Sequence, residues 1–300
     1  MTQREVDFTS SDGTTLRGVL HLPAASASVP GVVMTHGFSA VKEMGLPPFA
    51  EAICDAGIAV LLYDHRGLGA SDGEPRGQIN PWAQMHDMQQ ALTWLGTRPE
   101  VDAGRLGLWG SSFSGGEVLV LGAVDERVRA VVANVPFAGL PGADYETGTD
   151  TVVAAIAAAL DDGSLADGTA ATVFGPMAVV NEEGTELSAF LGQPESSEWF
   201  LAAGASTSWR NEVTLANAFG TEPPFDPGAC AAHLRCPTLF VVASEDHVAE
   251  AAIALAAYER APEPKELLVI DGHHFTPYAG APQREASAAA VAWFGSHLFD

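Results

Sequence analysis

Six short apolar segments restrict what this 300-residue chain can fold into. Each is rich in valine and leucine, and none alternates apolar with polar residues. They occupy residues 31–36, 58–64, 105–110, 128–135, 238–244 and 266–271. Strands that are buried on both faces of a parallel sheet have this composition. Residues 81–95 and 283–298 carry apolar side chains at three- and four-residue spacing, which predicts amphipathic helices. The sequence therefore predicts a doubly wound, mostly parallel α/β sheet with right-handed crossovers.

Two regions depart from the pattern of buried strands followed by helices. Segments in which apolar and polar residues alternate flank Asp12-Gly13, a strong hairpin signal, and predict antiparallel strands at one edge of the sheet. The interval from Val135 to Thr238 contains no convincing buried strand. We expect helices there over "TDTVVAAIAAAL", "TELSAFL", "SSEWFLAAG" and "SWRNEVTLANAF". The predicted organisation is a core domain of residues 1–136 and 227–300 with a helical cap inserted at 137–226.

The cap sequence is aromatic and weakly charged, as the walls of pockets for apolar ligands are. Its aromatic residues are Phe174, Phe190, Trp199, Phe200, Trp209 and Phe219. Packing in the core of the cap is the more common role for any single one of them. From this set we assign Trp199 and Trp209 to substrate binding.

The overall charge limits the partners. The chain has 38 acidic and 14 basic residues and a net charge of −24. This disfavours nucleic acid and anionic membranes, which are polyanions, and favours a small, largely apolar substrate.

The three cysteines form no CxxC pair and the N-terminus has no apolar signal segment, so we expect reduced thiols and a cytoplasmic location. Both a monomer and a homodimer fit the sequence.

The stretch "GLWGSSFSGG" at 107–116 joins a predicted strand to a predicted helix and contains Ser111, Ser112 and Ser114. A nucleophilic serine at such a turn needs small residues two positions before and after it. Ser112 and Ser114 meet this condition, whereas Trp109 stands two positions before Ser111. The strand ends at Trp109, and Ser114 would lie in the first helical turn. Ser112 is the predicted nucleophile, and the alternative is a Ser/Gly-rich turn without chemistry.

Five motifs occur in order along the chain: "HGF" at 36–38, "YDHRGLGASDG" at 63–73, "GLWGSSFSGG", "SEDH" at 244–247 and "GHHF" at 272–275. Together they resemble the α/β-hydrolase superfamily, and most closely its dienelactone-hydrolase and X-Pro-dipeptidyl-peptidase-like serine esterase group. Their order of serine, acid and histidine is specific to the α/β-hydrolase fold. Ser114 stands where many members have glycine. The cap matches no familiar pattern, so the resemblance does not reach the substrate.

The resemblance implies the other catalytic groups. The superfamily places the acid after the strand that follows the cap, where Asp246 fits better than Glu245; an Asp that only caps a helix is the alternative. The histidine follows the last strand, and "HF" before "TPY" resembles the "HFxxY" ending of the group, which selects His274 over His273. The oxyanion donors are the backbone amides of Phe113 and, after the "GVVMTHG" strand, of Phe38.

Two other patterns give no support for a cofactor or metal site. "GLGASD" lacks the third glycine of a dinucleotide loop. In the resembling fold this loop packs beneath the catalytic face, with Asp64 and Arg66 as ion-pair partners. A metal site from His36, His65, His273 and His274 lacks supporting ligand spacing, so we predict no metal and no cofactor.

The sequence thus predicts a serine hydrolase that cleaves a carboxylic ester, thioester or lactone through an acyl-enzyme. Hydrolysis of a carbon–carbon bond beside a ketone uses the same triad and is an alternative. A binding or regulatory protein without turnover is a third hypothesis, from a different class.

Overall fold

The computed structural model describes residues 1–25, 27–143, 145–166, 173–182 and 189–299. The described strands are β1 (Thr2–Thr9), β2 (Thr15–Leu22), β3 (Val29–Thr35), β4 (Ala59–Tyr63), β5 (Gln78–Ile79), β6 (Val101–Ser111), β7 (Val128–Asn134), β8 (Val173–Met177), β9 (Val213–Ala216), β10 (Thr238–Ala243) and β11 (Lys265–Ile270). The α-helices are α1 (Pro47–Asp55), α2 (Pro81–Gly96), α3 (Phe113–Val124), α4 (Thr149–Asp162), α5 (Pro194–Gly204), α6 (Pro227–Ala231), α7 (Ala251–Arg260) and α8 (Gly280–Leu298). A 3₁₀ turn spans Thr276–Tyr278.

Eight strands form one sheet in the order β1-β2-β4-β3-β6-β7-β10-β11. The pairs β1–β2 and β2–β4 are antiparallel, and all the others in this sheet are parallel. The hairpin turn lies where expected, with Gly13 at a φ of 90° and the Asp12 carboxylate accepting a bond from the Thr14 amide. The predicted α/β fold with an antiparallel N-terminal edge is confirmed.

Helices cover both faces of the sheet, because side chains of a strand alternate between its faces. On β3, Val33 packs into one apolar cluster, and Val32 and Met34 pack into the other. The first cluster contains residues of α2 and α3, and the second contains residues of α1 and α8. Every apolar residue of β4 and β10 is buried, which explains their continuous apolar sequences.

The segment between β7 and β10 is only partly helical. Helices α4 and α5 confirm two of the predicted helices, over 149–160 and 196–204. The predicted helix over 208–219 is wrong, because Val213–Ala216 forms β9, which pairs with β8 and with β5 from the core sequence. Part of "TELSAFL", residues 185–188, lies outside the described residues, and residues 189–191 are not helical. The domain boundaries at 136 and 227 stay predictions.

The expectation that most cap aromatics pack in a core is wrong for half of them. Phe174, Phe190 and Phe219 are exposed by 51%, 39% and 40%, whereas Phe200 is buried. Phe190 instead stacks on Phe38, with ring centroids 4.7 Å apart.

Gly110→Ala should destabilise the fold, because the new methyl group would lie 2.2 Å from the Ser114 carbonyl oxygen. We expect urea denaturation to show a loss of about 1–3 kcal/mol, the range for overpacked interiors. Gly295→Ala in α8 is the control: nothing lies within 4 Å of its added methyl, so the variant should gain up to about 1 kcal/mol from helix propensity. Equal stability of the two variants would show that the turn at Gly110 tolerates a side chain.

Candidate active site

The sharp turn between β6 and α3 presents Ser112. Strand β6 ends at Ser111 and helix α3 begins at Phe113. Ser112 lies between them with φ of 56° and ψ of −115°, a conformation that residues other than glycine rarely adopt. Such strained backbone is concentrated at functional sites. The turn directs the Ser112 side chain to the carboxyl edge of the sheet, where ligands of open α/β sheets bind.

Ser112, His274 and Asp246 form a chain of hydrogen bonds. His274 Nε2 lies 2.9 Å from Ser112 Oγ, and His274 Nδ1 lies 2.6 Å from Asp246 Oδ2. A carboxylate can only accept, so Nδ1 carries the proton and Nε2 is left to accept the proton of Ser112. His274 and Asp246 are 2% and 4% exposed, so water cannot compete for the inner bond.

Asp246 is held ionised by its neighbours. Burial opposes its charge, but the hydrogen bond from His274 and the backbone amides of Val248 and Ala249 keep the pKa of this carboxyl below its ordinary value. The same carboxylate thus caps a turn and orients the histidine. The two residues weighed against Asp246 and His274 are not part of this chain of hydrogen bonds. Glu245 is exposed, and His273 Nδ1 accepts a bond from the Phe275 amide.

The other two serines of the turn have different partners. Ser114 Oγ lies 2.7 Å from Glu117 Oε2 and 2.9 Å from His65 Nε2, in a cluster that is almost completely buried. Burial raises the pKa of Glu117 to about 8. Ser111 Oγ contacts the hydroxyl of Tyr278 and accepts a bond from Asn134 Nδ2. Of the three serines, Ser112 is the one in hydrogen-bond contact with His274.

His36 fixes the peptide that carries the Phe38 amide. Burial lowers the pKa of His36, so its ring is neutral and has one N–H. His36 Nε2 accepts a bond from the His65 amide at 3.2 Å, so Nδ1 donates to the Gly37 carbonyl at 3.1 Å. In a trans peptide the N–H of Phe38 points away from that carbonyl. Gly37 borders Ser112, since a Cβ on Gly37 would lie 2.7 Å from that of Ser112.

The amides of Phe38 and Phe113 are therefore both close to the serine. Neither N–H donates a hydrogen bond to a described residue. Two such donors beside a nucleophile can bind a negatively charged oxygen. Their phenyl rings meet edge to face, with centroids 5.9 Å apart.

A cleft of about 380 Å³ opens at Ser112 and His274. Its other lining residues are Gly37, Phe38, Ala40, Met44, Leu46, Leu191, Trp199, Phe200, Val248, Phe275 and Tyr278. No carboxylate, lysine or arginine belongs to this described lining. Trp199 stacks on Phe275, with centroids 5.0 Å apart. The second tryptophan assigned to the substrate, Trp209, does not line this cleft and packs behind Phe200.

The buried charges near the site pair differently from the sequence prediction. The predicted Asp64–Arg66 ion pair is wrong: Asp64 binds Lys42 Nζ at 2.7 Å, and Arg66 binds Asp87 at 2.6 Å and Asp12 at 2.8 Å. Both acids, Asp64 and Asp87, are completely buried, so each needs a cation beside it.

The metal-site alternative receives no supporting geometry. The rings of His36 and His65 contact each other, but no three histidine, cysteine or acidic side chains group as metal ligands within the described part. All three cysteines are free and buried. Among the described helices, none is long and apolar enough to cross a membrane.

A model of the family described as "X-Pro dipeptidyl-peptidase (S15 family)" matches residues 12–276. The chain belongs to this family. Polyketide transferase af380 of Aspergillus fumigatus is 30% identical over 300 residues, which cover 99% of each chain. Thiohydrolase aneE of Aspergillus aculeatus is 42% identical over 135 residues, 45% of this chain and 42% of that protein.

The crystal structure of the α/β hydrolase GrgF from Penicillium sp. sh18 has the same fold. Its TM-score is 0.72 at 26% identity, and the match covers 99% of each chain. The family, the fold and the relatives support a hydrolase.

Sequence reasoning missed two residues of this site. His36 entered only as the first letter of "HGF" and as a candidate metal ligand, and Tyr278 only as the last letter of "HFxxY". The signal for Tyr278 is its position four residues after His274, at the end of the 3₁₀ turn Thr276–Tyr278. Its contact with Ser111 joins the histidine loop to the residue that precedes Ser112.

Tyr278→Phe should slow the reaction of Ser112 with a fluorophosphonate by about tenfold, because small misplacements of reacting groups are costly. Thermal unfolding should change little, since Ser111 keeps its bond from Asn134. Tyr258→Phe, on α7 and outside the cleft, is the matched control. An unchanged labelling rate in Tyr278→Phe would show that this contact does not position the site.

Proposed function

We propose that this protein is a serine hydrolase that cleaves an ester or thioester of an apolar acyl group through an acyl-enzyme on Ser112. The observation that carries the proposal is the chain of hydrogen bonds from Ser112 through His274 to Asp246. A serine hydroxyl is a weak nucleophile until an adjacent base accepts its proton. His274 is in position to do so, and Asp246 fixes its tautomer and stabilises the imidazolium that forms.

The reaction would follow from this arrangement. Ser112 Oγ attacks the carbonyl carbon while His274 Nε2 takes its proton, and the amides of Phe38 and Phe113 bind the oxyanion. The tetrahedral intermediate collapses, and His274 protonates the departing alcohol or thiol. Water, deprotonated by His274, then attacks the acyl-enzyme and releases the acid and Ser112.

The lining of the cleft supports an uncharged, apolar acyl group. Its described residues are mainly aromatic and aliphatic, and none of them offers a carboxylate to an N-terminal ammonium group. The family description refers to peptides, but this cleft favours an ester or thioester over a dipeptide. The thiohydrolase name of a relative at 42% identity supports the thioester. The net charge of −24 and three free, buried cysteines support a small-molecule substrate and a cytoplasmic location.

Acyl transfer to an acceptor other than water is a second candidate. It is favoured by the name polyketide transferase of a relative that matches over 99% of both chains. The two functions share the acyl-enzyme and differ in what attacks it. Release of free acid from an isolated acyl-enzyme in buffer supports hydrolysis, whereas release only after an alcohol, thiol or carbon nucleophile is added supports transfer.

Ser112→Ala should lower kcat toward p-nitrophenyl acetate by roughly 10⁴- to 10⁶-fold, as removal of a triad member does. Ser114→Ala is the matched control and should keep most of the activity, because Ser114 bonds to Glu117 and His65 instead. Mass spectrometry of fluorophosphonate-labelled protein should place the label on Ser112. A label elsewhere, or an inactive Ser114→Ala, would refute the assignment.

The adjacent histidines provide a second control for this experiment. His274→Ala should be as inactive as Ser112→Ala, whereas His273→Ala should keep the activity. Asp246→Asn should fold but lose most of the rate, because an amide would select the wrong tautomer of the imidazole.

Trp199→Ala should widen the cleft and raise the ratio of kcat/KM for p-nitrophenyl octanoate to that for the acetate by about tenfold or more. Trp209→Ala, behind Phe200, should change this ratio less. The same panel should include a thioester and a β-diketone. Turnover of the β-diketone alone would replace the proposal by carbon–carbon hydrolysis. A larger effect of Trp209→Ala would show that the acyl chain lies outside the described cleft.

A further inference from the structure

A second cavity of about 400 Å³ borders the segment that carries the Phe38 amide. Residues of this segment line the two cavities alternately. Phe38 and Ala40 line the catalytic cleft, whereas Ser39 and Val41 line the second cavity. No described residue lines both, so the second cavity is a separate site that shares one wall with the first.

The second cavity carries unusual charge for this chain. Two of only 14 basic residues, Arg76 and Arg210, line it. Within the described part of the chain, neither guanidinium lies within 4.0 Å of a carboxylate, whereas most other arginines form ion pairs. Glu212 is the one acid among the described lining residues, and its side chain is exposed. A protein of net charge −24 repels anions in general, so an anion site on it needs a local excess of positive charge such as the one in this cavity.

Polar groups without partners lie at the same place. Ser39 Oγ and Trp209 Nε1 are buried and have no hydrogen-bond partner among the described residues. Buried donors are normally paired, and each exception calls for an explanation. Ser39 is 3% exposed and is held at a φ of 52°, which a serine adopts only when its surroundings require it. An acceptor in the cavity would give both groups the partner that they lack.

We propose that this cavity binds a small oxyanion, the phosphate or carboxylate group of a molecule other than the substrate. Arg76 donates to the backbone carbonyls of Ser71 and Gly69, which fixes its guanidinium and leaves further N–H groups for a ligand. Arg210 supplies a second fork, and arginine forks match the geometry of phosphate and carboxylate oxygens. Ser39 and Trp209 complete a set of donors. A ligand there would contact the residue next to the Phe38 amide.

The test is isothermal titration calorimetry with inorganic phosphate and, separately, with succinate, at an ionic strength held constant with sodium chloride. Ser112→Ala protein is used beside the wild type, so that the result does not depend on the proposed function. We expect one site per chain in both proteins. Tighter binding of phosphate identifies a phosphate ligand, and tighter binding of succinate identifies a carboxylate.

Arg210→Gln should weaken this binding by about tenfold or more, as expected for the loss of a charge-assisted hydrogen bond. The described contacts of Arg210 include no ion pair, so its replacement should leave thermal unfolding unchanged. Arg284→Gln, at an exposed position on α8 that does not line the cavity, is the matched control and should bind like the wild type. Absence of binding by both anions would overturn the proposal. So would equal weakening by the two variants, which would indicate a general charge effect.

Discussion

The strained backbone of Ser112 is the constraint on which the rest of the site depends. Hydrogen bonds on both backbone groups of Ser112 hold its φ of 56°. The Ser112 amide donates to the Asn134 carbonyl, and the Ser112 carbonyl accepts from the amides of Phe137 and Gly116. Strand β7 and the residues after it thus hold the turn in place. Glycine at position 110 follows from the same constraint, since the chain folds back on itself there. This strained turn places the Ser112 side chain in the cleft, next to the backbone amide of Phe113.

Buried charges organise the loops around this turn. Asp64 accepts bonds from the amides of Lys42 and Ala70 and from Lys42 Nζ, so one carboxylate joins the loop after β3 to the loop after β4. A Cβ at Gly69 would overlap this carboxylate, which explains the glycine. Breaking such a pair leaves an uncompensated charge in the interior. The loop that carries the Phe38 amide therefore has a charged anchor a few residues away.

The sequence predicted what depends on local pattern. Continuous apolar segments located the parallel strands, although β6 continues to Ser111, two residues beyond its predicted end at Trp109. Strand β9 escaped prediction, because its four residues gain their hydrogen bonds from β8 and from the two residues of β5. The partners of Asp64 and Arg66 also escaped prediction, since they are set by folding and lie between 21 and 54 residues away in sequence. Trp209 was assigned to substrate binding only because it is a tryptophan. The packing in the structure shows that Trp199 lines the cleft and that Trp209 does not.

The segment between β7 and β10 leaves and re-enters the sheet at neighbouring strands. The two strands pair directly, from Thr238 opposite Val131 to Val241 opposite Asn134, and the Val135 amide donates to the Val241 carbonyl. The pairing of these strands thus holds together the two ends of a segment of about a hundred residues. The entropic cost of closing such a loop grows only slowly with its length. Evolution can lengthen, shorten or exchange this segment without altering the register of the eight-stranded sheet. New substrate ranges can therefore arise on an unchanged catalytic scaffold.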